Sequence, residues 1–301
     1  MIKDAPAVSS HPARVSPPAW HRNRRVRTAV WKATVYLIVA TGAVIVAFPF
    51  FWQVTTSLKS PSQVFAWPPE WIPWPLHPEN YAEVAAVVPL WLYIKNSLTI
   101  VACVIVGTEI SCAMAAYAFA RLRFPGRDVI FLVLISSLII PATATTVPQF
   151  VFFQKIGWYN TFYPLIVPSF FGNAFFIFLL RQFFLSISLE LEAAARIDGC
   201  SFFASFWRII LPLSKPALAA VAVFTFIWTW NDFFTPLVYL SDQRLYTLPL
   251  GLVFFQGSPH TSVQTQLLMA MSLILTVPCI VAYFFAQRAF IQGIVMTGVK
   301  G

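Results

Sequence analysis

Ser188-Leu189-Glu190-Leu191-Glu192-Ala193-Ala194-Ala195-Arg196-Ile197-Asp198-Gly199-Cys200-Ser201 interrupts a chain otherwise dominated by long apolar runs. Ser188 is placed to cap a helix, Glu190 and Glu192 suit the positive end of that helix, and Glu192 with Arg196 has the favourable i,i+4 order. Gly199 supplies a C-terminal stop, and Ser201 is placed to cap a second short helix carrying Phe202, Phe203, Phe206 and Trp207. The stretch predicts a compact knob of two short helices over about 188–212. Its aromatic second half is expected to bury against the rest of the chain while its first half faces a partner.

Outward from the knob, the composition points to a bilayer. With 58% hydrophobic residues, 10% charged residues and a mean hydropathy of +0.73, the 301 residues are far more apolar than a soluble domain. A helix needs about 20 mostly apolar residues to cross the hydrocarbon core, because its backbone polar groups must be satisfied within the segment. Six runs qualify, near 31–54, 94–118, 129–151, 164–186, 216–240 and 267–290, which predicts an all-α membrane protein with a transmembrane domain over 29–290. Pro49, Pro141, Pro148, Pro168, Pro236 and Pro278 fall within or beside these runs and predict kinks. Residues 1–28, rich in Pro, Ser, His and Arg, read as a mobile basic tail, and 291–301 as a second tail. The first run has no A-x-A-like site and is too long for a signal peptide, so it reads as a retained helix.

Charge placement orients the chain. All but four of the 20 lysines and arginines fall on the side of the N-terminus; Lys59, Lys95, Lys155 and Arg244 fall on the other. Basic residues accumulate in short cytoplasmic loops, so both termini are expected in the cytoplasm. Trp67, Trp71, Trp74 and Trp91 in the long outer loop suit a membrane interface. The net charge of +9 lies between apolar runs rather than on a basic face, which argues against nucleic acid. The widely spaced Cys103, Cys112, Cys200 and Cys279 form no CxxC or Cys/His cluster, so neither disulfide nor metal is expected.

Ala194-Ala195-Arg196-Ile197-Asp198-Gly199, followed by Ile209-Ile210-Leu211-Pro212, resembles the EAA loop of ABC-importer permeases. Asn96-Ser97, Ala116-Tyr117-Ala118-Phe119-Ala120-Arg121, Arg123-Phe124-Pro125-Gly126-Arg127, Arg181-Gln182-Phe183-Phe184, Trp230-Asn231 and the C-terminal Gly298-Val299-Lys300-Gly301 extend the resemblance. Together they are similar to the carbohydrate (maltose-type) permeases, specifically the shorter six-helix subunit. One position departs: the motif glutamate stands six residues before the glycine, which is Ala193 here. Glu192 is rotated from it by about 100° around a helix.

The resemblance implies a permease subunit of an ATP-driven, binding-protein-dependent importer in the bacterial inner membrane, forming half of the path for a sugar or oligosaccharide. The alternative is a phosphorylated polyol such as a glycerol phosphate ester. Implied partners are a second permease subunit, a cytoplasmic ATPase dimer, an extracytoplasmic solute-binding protein and membrane lipid. The implied ATPase-coupling residues are Glu190, Glu192, Ala194, Ala195, Arg196, Asp198 and Gly199, with Glu192 or Glu190 standing in for the motif glutamate. The chain has no G-x-x-x-x-G-K-[ST], so no cofactor is expected on it; ATP and Mg²⁺ would sit on the ATPase.

Substrate-path candidates are polar groups within the runs, which are costly in lipid. Thr225, Trp228, Asn231, Asp232 and Thr235 fall on one stripe at helical spacing, and aromatics beside hydrogen-bonding groups suit a sugar. Bonding to neighbouring helices is the competing explanation for Asn231 and Asp232. Glu109 is open between a protonated, a paired and a cavity-facing state, and Asn173 is similar. An intramembrane enzyme would need a nucleophile with its base, or metal ligands, at bilayer depth. His11, His21, His77 and His260 lie outside the predicted spans. A secondary transporter built from repeats would leave the knob unexplained.

Overall fold

The computed structural model describes residues 19–256 and 264–298. Within them the chain is helical, and no strand is present. The principal helices are α1 (Ala19–Ser57), α2 (Leu90–Arg121), α3 (Arg127–Ser136), α4 (Ala142–Lys155), α5 (Ala174–Ser186), α6 (Leu189–Ile197), α7 (Phe202–Ser205), α8 (Lys215–Asn231), α9 (Phe234–Tyr239), α10 (Leu248–Gln256) and α11 (Thr265–Gly298). Four segments are long and apolar enough to cross a membrane: Val26–Ser57, Leu90–Arg121, Tyr163–Ser186 and Thr265–Phe285. Two bent pairs raise the number to six if each is one span: Arg127–Ile139 with Thr143–Lys155, and Phe202–Leu213 with Lys215–Asn231.

Several segments differ from the sequence expectation. The expected N-terminal tail lies outside the described residues as far as residue 18, but 19–28 are already helical as the start of α1. The expected C-terminal tail is helical through Gly298 as the end of α11, and 299–301 lie outside the described residues. The run at 129–151 is divided at Pro141, which caps α4 in extended conformation (ψ 133°). The run at 216–240 is divided between α8 and α9. Pro236 has no N–H, and its ring would strike the carbonyl of Asp232, four residues back, in a continuous helix. The chain therefore leaves helical geometry at Asp232 (ψ 116°).

The chain divides after Gln53 into two compact units. The first is most of α1, whose apolar side chains, among them Trp31, Tyr36 and Ile45, are exposed. The second is organised on α2. Cys112, Ala113, Ala116, Tyr117 and Ala120 pack with Phe176, Ile177, Leu180 and Phe184 of α5 and with Phe206, Ile210, Ala217 and Val221. Small residues at helical spacing on α2 let backbones approach closely. The opposite end of α2 packs Leu90, Tyr93 and Val101 with Trp230 of α8, Leu248 of α10, and Leu267, Ala270 and Met271 of α11. Asn96 donates from Nδ2 to the carbonyls of Arg244 and Tyr246 at 2.9 and 3.0 Å, and Ser97 Oγ accepts from the Leu248 N–H at 2.8 Å. These bonds hold the α9–α10 connection on the start of α2. Asp242 in that connection is held below the usual aspartate range by hydrogen bonds from Arg244. Trp67, Trp71, Trp74 and Trp91 are exposed.

Gly251 of α10 lies against Cδ2 and Cε2 of the Tyr93 ring, which a Cβ at that position would overlap. Overpacking of this kind costs about 1–3 kcal/mol. Gly251→Ala is expected to lower the melting temperature of the purified protein in detergent, followed by size-exclusion chromatography after heating; an unchanged melting temperature would contradict the packing described.

Candidate functional site

α6 and α7 form the knob expected from the sequence, and their ends are built by side chains placed for that purpose. Ser188 Oγ accepts from the Glu190 N–H at 3.2 Å, and Ser201 Oγ accepts from the Ala204 N–H at 3.2 Å. Between the helices, the N–H groups of Gly199 and Cys200 donate to the carbonyls of Arg196 and Ala195 at 3.0 and 2.9 Å. This is the paired C-terminal closure that needs a left-handed residue; Gly199 has φ +84°, which a Cβ would strain. After Ser205 the backbone widens into a π-turn over Phe206–Ile210 before the chain enters α8.

The orientation of the knob differs from the sequence expectation. Glu192 does not pair with Arg196. Its carboxylate is turned inward, 2.8 Å from Arg121 Nε at the end of α2, with side chains 5% and 2% exposed respectively. Arg196 instead lies over the Phe202 ring, 4.0 Å from its centroid. Tyr117 OH, one turn before Arg121, donates to Glu192 Oε2 at 3.4 Å and lies 3.3 Å from the carbonyl of Phe202. Burial follows one face of each short helix rather than dividing the knob into halves. Glu192 and Ala195 of α6 and Phe206 beyond α7 turn inward, while Phe202, Phe203 and Trp207 are exposed. Leu189, Glu190, Leu191, Ala193, Ala194, Arg196, Ile197, Asp198 and Gly199 lie outward, and Ile197 is 87% exposed.

Arg121 also donates from Nη2 to the carbonyls of Phe184 and Ile187 at 2.7 and 2.6 Å. Arg181 of α5 donates from Nε to the carbonyl of Phe119 at 3.3 Å and lies 4.3 Å from the centroid of the Phe131 ring. α2 and α5 thus end side by side. The carbonyls of Phe184 and Phe119, at the negative ends of the helix dipoles, are bound by each other's arginines.

The second group of candidates lies along α8 and does not form one stripe, because the helix ends at Asn231. Thr225 is buried, with its hydroxyl lacking a hydrogen-bond partner. Trp228 is 50% exposed and is surrounded by the rings of Phe175, Phe176 and Phe224 at centroid distances of 5.8, 5.1 and 5.9 Å. Beside it opens a cavity of 500 Å³ lined by Ile227, Trp228, Thr229, Asn231 and Asp232. Asn231 Nδ2 donates to its own helix at the Ile227 carbonyl, 2.8 Å, and contacts Cys279 Sγ at 3.3 Å. Asp232 Oδ1 accepts the Thr235 N–H at 3.1 Å across the break. Asn173 caps α5, its Oδ1 accepting from the N–H groups of Phe175 and Phe176 at 3.0 and 3.3 Å. Its carbonyl and N–H meet Cys112 Sγ. One oxygen of Glu109 is buried without a hydrogen-bond partner. Of the candidates, Trp228, Asn231 and Asp232 line this cavity, and Thr225, Asn173 and Glu109 are not among its lining residues.

Residues 109–295 match the family of binding-protein-dependent transport system inner membrane components. The chain belongs to that family. It is 33% identical over 279 residues to the probable ABC transporter permease protein YurM of Bacillus subtilis, covering 91% of this chain and 89% of the relative. It is 36% identical to the arabinooligosaccharides transport permease AraQ of Halalkalibacterium halodurans, covering 70% of this chain and 75% of the relative. It is 32% identical to the trehalose/maltose transport permease MalG of Thermococcus litoralis, covering 86% and 93%. Its fold is similar to that of a chain in a bacterial ABC transporter involved in import of the acidic polysaccharide alginate. There the TM-score is 0.78 at 22% identity, covering 86% of this chain and 96% of that chain.

In this inner-membrane permease, Arg121 and Tyr117 are the site residues that sequence reasoning missed. Both lay in the quoted Ala116–Arg121 stretch, read only as a span end and a topology charge. Nothing local in the sequence connects them to Glu192, 71 positions after Arg121. Arg121→Ala leaves the Glu192 charge buried without its partner, a loss on the order of 3–5 kcal/mol. It is expected to melt well below the wild type in detergent, and a melting temperature within a degree of the wild type would contradict the buried pair.

Proposed function

We propose that this permease is one of two membrane subunits of an ATP-driven importer of a neutral sugar or oligosaccharide. In this reading α6 and α7 lie on the cytoplasmic side with both termini and dock on one subunit of an ATPase dimer, which carries ATP and Mg²⁺. An extracytoplasmic solute-binding protein delivers the sugar to the opposite face. The permease does no chemistry. Closure of the ATPases on ATP displaces the docked knob, and the spans attached to it switch the cavity between its two openings as rigid bodies.

The carrying observation is the knob itself: two short, capped helices attached to the spans from within and presenting Leu189, Leu191 and Ile197 outward. An exposed apolar cluster on a compact projection is a feature of an interaction site. Ala193, where the family motif has glutamate, lies outward within the same surface. Docking in this chain therefore rests on apolar contact, with Glu190 and Asp198 as the outward carboxylates.

A sugar is supported by the sugars named for the relatives and by the cavity beside Trp228. There an exposed aromatic face adjoins an amide and a carboxylate, a combination that stacks on a sugar ring and bonds its hydroxyls. The lining holds Asp232 and no lysine or arginine, which disfavours the phosphorylated polyol considered above.

Ile197→Asp tests the docking surface in the complex co-expressed with its ATPase and second permease. The expected outcome is normal insertion of the variant, with ATPase recovered in pull-down reduced by about tenfold or more and vanadate-sensitive uptake lost. Wild-type uptake that persists without any ATPase would overturn the reading.

A further inference from the structure

We propose that Arg121 and Glu192 are positioning residues for energy coupling, making the knob a rigid extension of α2 and α5. The proposal rests on the docking reading above and adds how a displacement of the knob reaches the spans.

Only Ile187 and Ser188 separate α5 from α6, so a connector this short still leaves α6 free to swivel unless something fixes its rotation. Three points on the connector and knob are held, all by two side chains one turn apart on α2. Arg121 binds the carbonyl of Ile187 at 2.6 Å and the carboxylate of Glu192 at 2.8 Å. Tyr117 OH reaches Glu192 and the carbonyl of Phe202. Two attachments would define a hinge; the third, at the start of α7, removes the remaining rotation. The same Arg121 fork holds Phe184 at the end of α5, so both spans and α6 share one guanidinium, and the Tyr117 hydroxyl adds α7.

The chemistry suits positioning better than adhesion. A buried ion pair contributes little net stability compared with apolar packing of the same volume, but it is satisfied in one geometry only. Arginine supplies the planar fork needed to bind two carbonyls and a carboxylate together, which a lysine ammonium does not. Because both partners are almost wholly buried, Glu192 is unavailable to an ATPase. Its outward neighbour Ala193 has no charge to offer, so pinning and docking fall to different residues of one helix turn.

Glu192→Gln in the full complex, reconstituted in proteoliposomes with the solute-binding protein, separates this role from docking and from folding. The variant keeps the shape of the side chain and the contact to Tyr117 while removing the charge. Three quantities are read: ATPase co-purified per permease, ATP hydrolysed, and sugar taken up per ATP. The expected result is unchanged co-purification and retained hydrolysis, with uptake per ATP lowered by about tenfold. Glu192→Asp is expected to restore most of the ratio, and Asp128→Asn, an exposed carboxylate outside the knob, to leave it at the wild-type value. Loss of ATPase from the complex in step with uptake, or an unchanged uptake per ATP, overturns the proposal. Should Glu192→Gln fail to accumulate in the membrane, Arg121→Lys takes its place, and a wild-type ratio there overturns it equally. Failure of the docking reading is recognised separately, as absence of ATPase from the wild-type complex.

Discussion

Where α2 and α5 end side by side, their final carbonyls and the negative ends of their dipoles are brought together, and at the wholly buried Phe184 no water is at hand to satisfy them. Arg121 resolves this by binding carbonyls of Phe184 and Ile187 while Arg181 binds that of Phe119. Having accepted that task, Arg121 is a buried cation and needs an anion, which Glu192 supplies from the first turns of α6. The position of the knob is thus a consequence of how two spans terminate. Without those carbonyls to satisfy, only Tyr117 would hold α6 and the start of α7 to the membrane helices.

Much of this was legible in the sequence, for identifiable reasons. The caps at Ser188 and Ser201 and the stop at Gly199 are local chemistry, decided by residues within four positions of one another, and they formed where the spacing placed them. The apolar runs announced the membrane helices because hydropathy is a property of the segment alone. Partnerships across the chain were not legible. Glu192 beside Arg196 at i,i+4 is the natural local pairing, but an exposed pair of that kind is worth little, and the carboxylate instead meets Arg121 and the Tyr117 hydroxyl on α2. The stripe from Thr225 to Thr235 assumed an unbroken helix. Pro236 made that impossible, so the loss of Thr235 from the stripe could have been anticipated from the rule that proline disrupts the turn before it. Asn173 looked like a buried amide in search of a ligand and is a helix cap, a role that only the φ +89° turn at Gly172 and the start of α5 make visible.

The two candidate regions divide the work of a permease along α2. One end packs with α8, α10 and α11 around Trp230 and Met271, close to the cavity beside Trp228; the other packs with α5 and holds the knob. A single 32-residue helix therefore links the groups proposed to meet sugar with the groups proposed to meet the ATPase. Helices transmit displacement along their length because every backbone group is already bonded within them, whereas a connector of irregular structure absorbs it. At the two-residue junction, the Ile187 N–H and carbonyl are bonded to Phe184 and Arg121 and the Ser188 hydroxyl caps α6, which leaves little slack to absorb it.

The most direct test of this account is a pair of structures of the assembled transporter, one without nucleotide and one held closed by a non-hydrolysable ATP analogue. The account predicts that α6 sits in contact with an ATPase subunit in both. It also predicts that α6 moves together with the ends of α2 and α5 as one body, and that the Arg121–Glu192 contact is kept in each state. A knob free of the ATPase, or an Arg121–Glu192 pair broken in one state while α6 rotates against α2, would contradict it.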